Sequence, residues 1–85
     1  ARGRSYVLSE GEELTFGRMK GKRVVSLNDN AISAPHCTFR FEAGVLTVRD
    51  RESTNGTYVN RRRAESAVLY PGCEIALGRT VIKVR

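Results

Sequence analysis

The chain has 85 residues, 40% of them apolar, which fills one modest core and leaves nothing for a second or for a large internal cavity. No run of about 18 apolar residues is present, so no transmembrane helix is expected, and the N-terminus leads into too short an apolar stretch for a signal peptide. The net charge is +6, with twelve arginines and three lysines against nine acids; such a balance favours an anionic partner without naming it.

Cys37 and Cys73 are the two cysteines and His36 the one histidine. That set is too small for a disulfide scaffold or a zinc site, so no metal and no cofactor are expected, and reduced thiols fit an intracellular protein, cytoplasmic or nuclear. With no linker visible, residues 1–85 read as a single domain excised from a larger protein.

Strand signals dominate the chain. Residues 6–8 and 14–16, separated by Ser9-Glu10-Gly11-Glu12-Glu13, predict a first hairpin. Residues 24–27 predict a short strand closed by Asn28-Asp29-Asn30. Residues 37–42 alternate, with Cys37, Phe39 and Phe41 on one face, and after the turn Ala43-Gly44 residues 45–50 alternate again, with Leu46 and Val48 inward. Residues 57–59 predict another strand, and residues 74–77 and 81–84 a closing pair joined through Gly78-Arg79-Thr80. Helical periodicity is nearly absent. Short strands every 8–12 residues, with Gly, Asn and Asp between them, imply an all-β sandwich or barrel.

No catalytic constellation is visible. His36 stands alone, and Asp29, Asp50 and Glu52 have no partner at a catalytic spacing, so the chain reads as a non-enzyme. The loops carry the unusual polar groups instead: Phe16-Gly17-Arg18, Ile32-Ser33-Ala34-Pro35-His36, and Ser53-Thr54-Asn55-Gly56-Thr57-Tyr58-Val59-Asn60. In a sandwich, loops at one end cluster on a rigid scaffold. Arg18 offers a guanidinium fork for phosphate, Ser33 and Thr54 offer hydroxyls, and Asn55 offers an amide that can donate to and accept from a peptide backbone. Singly, each has an ordinary structural reading: a solvated arginine, a turn serine, a hairpin Asn-Gly.

In this order and spacing the segments are specific. Gly17-Arg18, then Ser33-Ala34-Pro35-His36, then Asn55-Gly56, with the string STNGTYVN and the tail from Leu69 to Gly78, resemble the forkhead-associated (FHA) domain across roughly residues 5–85. The resemblance implies a β-sandwich of two twisted, mostly antiparallel sheets with about 10–11 short strands, which binds a threonine-phosphorylated segment. It implies that Arg18 contacts the phosphate or the peptide just ahead of it, that Ser33 hydrogen-bonds the phosphate, that Thr54 lines the site and that Asn55 holds the peptide main chain. Gly17, His36, Gly56 and Asn60 are implied as structural support, His36 by pinning the binding loops and Asn60 by shaping the turn after its strand.

Three positions depart from the family pattern: Ala34 where a donor usually follows the serine, Arg61 where glycine often follows the second asparagine, and Cys73 where an acid is common in the closing turn. Lys20, Lys22 and Arg23, with Arg61, Arg62 and Arg63, are expected to form a basic rim that attracts acidic residues around the phosphothreonine. The alternatives are a degenerate FHA fold serving as a phospho-independent scaffold and a basic sandwich binding nucleic acid. Against the latter, the six aromatics (Tyr6, Phe16, Phe39, Phe41, Tyr58 and Tyr70) fall mostly at strand or inward positions rather than on a stacking platform.

Overall fold

The computed structural model describes residues 5–85. Two sheets face each other. The first has the order β2 (Val24–Ser26), β1 (Glu12–Gly17), β3 (Cys37–Glu42), β4 (Val45–Asp50), β7 (Ser66–Leu69). The second has the order β6 (Arg62–Arg63), β5 (Thr57–Val59), β8 (Glu74–Leu77), β9 (Thr80–Lys83). All pairings are antiparallel except β1 with β2. Among the described residues no helix is long and apolar enough to cross a membrane.

Alternation in each strand decides which side chains enter the space between the sheets. Leu14, Phe16, Phe39, Val48 and Leu69 come from the first sheet, and Ile75 and Leu77 from the second, all buried. Phe16 and Phe39 meet edge to face at 5.2 Å between centroids, a geometry favoured by the ring quadrupoles. The β3–β4 hairpin is as the alternation predicts, with Glu42 opposite Val45 and both turn residues at positive φ, Ala43 at 55° and Gly44 at 74°.

Nine strands are present among the described residues, against the 10–11 expected. Residues 6–8 do not form a strand, and the first hairpin does not exist: β1 already has β3 on one edge and β2 on the other, so no ladder position is left. Tyr6 contributes by packing edge to face on Phe16, at 5.5 Å. Two strands were not legible. β6 is two arginines, and β7 buries only Leu69 fully and Ala67 in part.

Candidate functional site

Three loops meet at one end of the sandwich: residues 18–23 after β1, 27–36 before β3, and 51–56 after β4. Their junction is built on Gly17. A Cβ there would lie 3.0 Å from the Ser33 carbonyl oxygen and 3.1 Å from the Pro35 Cα, so only glycine lets β1 and the second loop approach this closely. The Arg18 N–H then donates to the Ser33 carbonyl at 3.1 Å, and the His36 N–H to that of Phe16 at 2.9 Å.

His36 is fully buried. Its Nδ1 accepts the Ser33 N–H at 3.1 Å and its Nε2 lies 2.8 Å from the Gly56 carbonyl. A carbonyl only accepts, so the ring is neutral with its proton on Nε2. The imidazole therefore ties the second loop to the third from within the protein, and it is not an acid or base facing solvent.

Three successive residues of the third loop fan out to different neighbours. The Thr54 N–H donates to Ser33 Oγ at 2.9 Å, the Asn55 Nδ2 donates to the Ala31 carbonyl at 2.9 Å, and Gly56 takes φ 89° with its α-carbon against Arg63. A Cβ on Gly56 would stand 2.6 Å from Arg63 Nε. Arg18, Thr54 and Asn55 are exposed and Ser33 is half-buried. Ser33 Oγ, while accepting from Thr54, keeps its own proton to donate outward. Asn55 keeps its Oδ1 and its second amide hydrogen for a ligand. The four residues named from sequence are thus brought together.

Asn60 stands in the turn after β5, where it has positive φ, but that turn is not beside the loops. Asn60 belongs to the opposite end: its N–H and Oδ1 bond the main chain of Glu74, each near 2.9 Å, because β5 carries it one strand length away from Thr57. The basic rim divides in the same way. Lys20 and Lys22 lie exposed on the first loop, whereas Arg23 turns back along β1, donating to the Glu13 carbonyl at 3.2 Å and pairing with Glu12 at 3.5 Å. Arg61 sits in the distal Asn60-Arg61 turn, where both residues have positive φ, 49° and 72°. Arg62 opposes Val59 next to that turn. Only Arg63, returning on β6 opposite Tyr58, comes back to the loops.

Sequence reasoning missed the buttress beneath the third loop. Asp50 accepts from Ser53 N–H at 3.1 Å, from the Ser53 hydroxyl, and from Thr57 Oγ1 at 2.7 Å, and Ser53 Oγ accepts the Gly56 N–H at 3.0 Å. Burial opposes the Asp50 charge, but the hydrogen bonds from Ser53 and Thr57 outweigh it and hold the carboxyl below the ordinary range. Asp29 does the same for the second loop, bonding Ala31 N–H at 2.9 Å and Arg79 N–H at 2.7 Å; these two backbone bonds hold its carboxyl low. A carboxylate two or three residues before a turn was the available signal. Beside the buttress, burial pushes the Cys37 thiol up to about 12, which makes it inert. Among the described residues no group of three or more His, Cys, Asp or Glu side chains could hold a metal.

The glycogen accumulation regulator GarA of Mycolicibacterium smegmatis is 46% identical over 55 residues, 65% of this chain and 35% of GarA; the chain spans about a third of that relative's length. The FHA domain-containing protein FhaA of Mycobacterium tuberculosis is 36% identical over 83 residues, 98% of this chain and 15% of FhaA. The solved FhaA FHA domain, complexed with the intracellular domain of Rv3910, is similar with a TM-score of 0.87, covering 98% of this chain and 89% of that one. A structure from an analysis of phosphothreonine-dependent FHA domain interactions is equally similar, at 36% identity and TM-score 0.87, covering 98% of this chain and 84% of that one. The family model of the FHA domain matches residues 14–78, and this chain belongs to the FHA-domain family.

Proposed function

We propose that this domain binds a threonine-phosphorylated segment of a partner protein and performs no chemistry on it. The observation that carries this reading is the Ser33–Thr54 pair: Ser33 Oγ is fixed by the Thr54 N–H at 2.9 Å, so its hydroxyl proton is aimed before any ligand arrives. A phosphomonoester near its second ionisation presents close to two charges and three acceptor oxygens. Arg18, Ser33 and Thr54 supply donors of matching kind, Lys20 and Lys22 add positive field, and Asn55 supplies the amide that registers an extended main chain. A kinase product as ligand also makes an intracellular setting the natural one. By name, GarA is a regulator and the relative from Corynebacterium efficiens is an oxoglutarate dehydrogenase inhibitor, in keeping with a binding module.

The test is calorimetric titration with a degenerate phosphothreonine peptide library beside its unphosphorylated twin. Only the phosphorylated library binds, and Arg18→Ala weakens it about 10- to 100-fold, the equivalent of one charge-assisted hydrogen bond. Equal binding of both libraries selects the phospho-independent scaffold, the reading favoured by Ala34, which brings no donor to the phosphate.

A further inference from the structure

The outer face of the five-stranded sheet is not explained by the site above. Alternation points Val45, Thr47 and Arg49 of β4 to this face, with Arg51 next in the same row. Register sets Ser66 opposite Arg49 and Val68 opposite Thr47, and its continuation sets Tyr70 beside Val45. The result is a strip with two ends. Near the loops stand Arg49 and Arg51, both exposed. Arg51 donates through Nη1 to Thr38 Oγ1 at 3.1 Å, and its N–H is bonded to the His36 carbonyl at 2.8 Å. At the far end stand Val45, Val68 and Tyr70, with 43%, 49% and 64% of their surface exposed.

Both ends are unusual for this molecule. On the same face, Arg40 is neutralised by Glu13 and Glu42, yet neither Arg49 nor Arg51 has an ion pair among the described residues, although Glu52 follows Arg51 in the chain and the Glu65 carbonyl accepts the Asp50 N–H at 2.8 Å. Three of the six exposed large apolar side chains fall on this one strip. A contiguous apolar patch rimmed by polar groups is the form that interaction surfaces take.

We infer that the strip from Arg51 to Tyr70 is a second docking surface, taken by an extended stretch of the same partner chain that carries the phosphothreonine, with acidic residues followed by apolar ones. The inference rests on the phosphopeptide reading for its first anchor. Continuity supports it: Pro35 and Arg51 line one shallow groove with Arg49, Asp50 and Glu52, directly beside the His36 loop, so a bound segment leaving the loops meets the arginines first. Charge complementarity orders the occupant, acidic next to the site and apolar beyond. Its length follows from strand geometry: six residues separate Arg51 from Val45, about 20 Å at ~3.4 Å per residue, so some ten extended residues reach from the site to Tyr70. Tethering makes the second contact intramolecular and raises total affinity without any change in the first.

The experiment is calorimetric titration with a seven-residue phosphothreonine peptide, and with the same core extended by ten residues, two aspartates and then alternating valines, on its N-terminal or its C-terminal side. One extension tightens binding at least five-fold. The Arg49→Ala/Arg51→Ala double variant and, separately, Val68→Lys abolish the gain while the short peptide binds as before. A gain that survives both variants, or no gain from either extension, overturns the inference. The two unphosphorylated extended peptides are added at millimolar concentration to labelled protein: amide shifts confined to residues 45–51 and 66–70 support the strip, and their absence refutes it, even if no phosphopeptide binds at the loops.

Discussion

Replacing His36 by alanine removes a ring that is wholly inside the protein and that joins the second loop to the third through two hydrogen bonds. Two partners are left unpaired, the Ser33 N–H and the Gly56 carbonyl. A buried polar group without a partner costs ~1–3 kcal/mol. The Ser33 group is only partly buried and regains some hydration, and the lost ring leaves a void with its own cost. The sum is about 3–4 kcal/mol. A domain of this size has a total stability of ~4–13 kcal/mol, so the variant stands near the edge of folding, and a fall in Tm of about 12–30 °C is expected. Thermal melting followed by circular dichroism measures it. Two conservative variants separate the bonds. Asparagine can place Oδ1 where Nδ1 was and keep the Ser33 bond, whereas glutamine can place its amide nitrogen where Nε2 was and keep the Gly56 bond. Each is expected to recover part of the loss. An alanine variant melting within about 3 °C of the parent, or asparagine and glutamine variants no better than alanine, would refute the reasoning.

Arg61 occupies a left-handed position, φ 72°, in an exposed two-residue turn where glycine is favoured. Arg61→Gly is expected to stabilise by about 0.5–1 kcal/mol, read as a rise in Tm; a fall refutes the strain argument. Asp50, whose folded pKa is depressed below the ordinary 3.8, contributes stability that is complete above that value and is lost as pH falls through the lower folded one. The urea midpoint therefore drops as pH falls below about 4, and Asp50→Asn flattens the drop, leaving the part due to Asp29; an unchanged profile removes Asp50 from the buttress. Ala34→Arg is expected to tighten phosphothreonine peptides about 10- to 100-fold, as one added charged hydrogen bond does, and no gain in titration means that position 34 does not face the phosphate.

What was legible in the sequence follows from how far each signal reaches. The β3–β4 hairpin declares itself because Cys37 to Asp50 carry their alternation and their turn within fourteen consecutive residues. Gly17, Ser33, His36, Thr54, Asn55 and Gly56 could be grouped because their order and spacing match a family motif. The fate of the arginines was not legible, because a run such as Arg61-Arg62-Arg63 looks uniform until the hairpin register assigns each residue a direction. A two-residue turn sends Arg61 away from the loops and brings Arg63 back to Gly56. Residues 6–8 misled for the converse reason: local alternation says that a segment can be a strand, but only the sheet shows whether an edge is open to it. The Asp50 and Asp29 buttresses were overlooked because both look like ordinary loop acids until their partners, up to fifty residues away in the chain, are placed.

These buttresses bear on how the site works. Each group proposed to face the ligand is held by a bond made below it: Ser33 by His36, Asn55 by the Ala31 carbonyl, the third loop by Asp50 through Ser53. No side-chain hydrogen-bonding atom buried in the described residues lacks a partner, so the loops do not need the ligand to complete them. Binding then requires little ordering of the protein, and the affinity gained from each donor is not offset by loop entropy. The cost of that arrangement falls on folding instead, since the same imidazole that aims the Ser33 loop is packed at the end of the core. Loss of binding and loss of stability are therefore expected together at His36, Gly17 and Asp50, and loss of binding alone at Arg18, which is exposed and whose side chain makes no hydrogen bond or ion pair among the described residues.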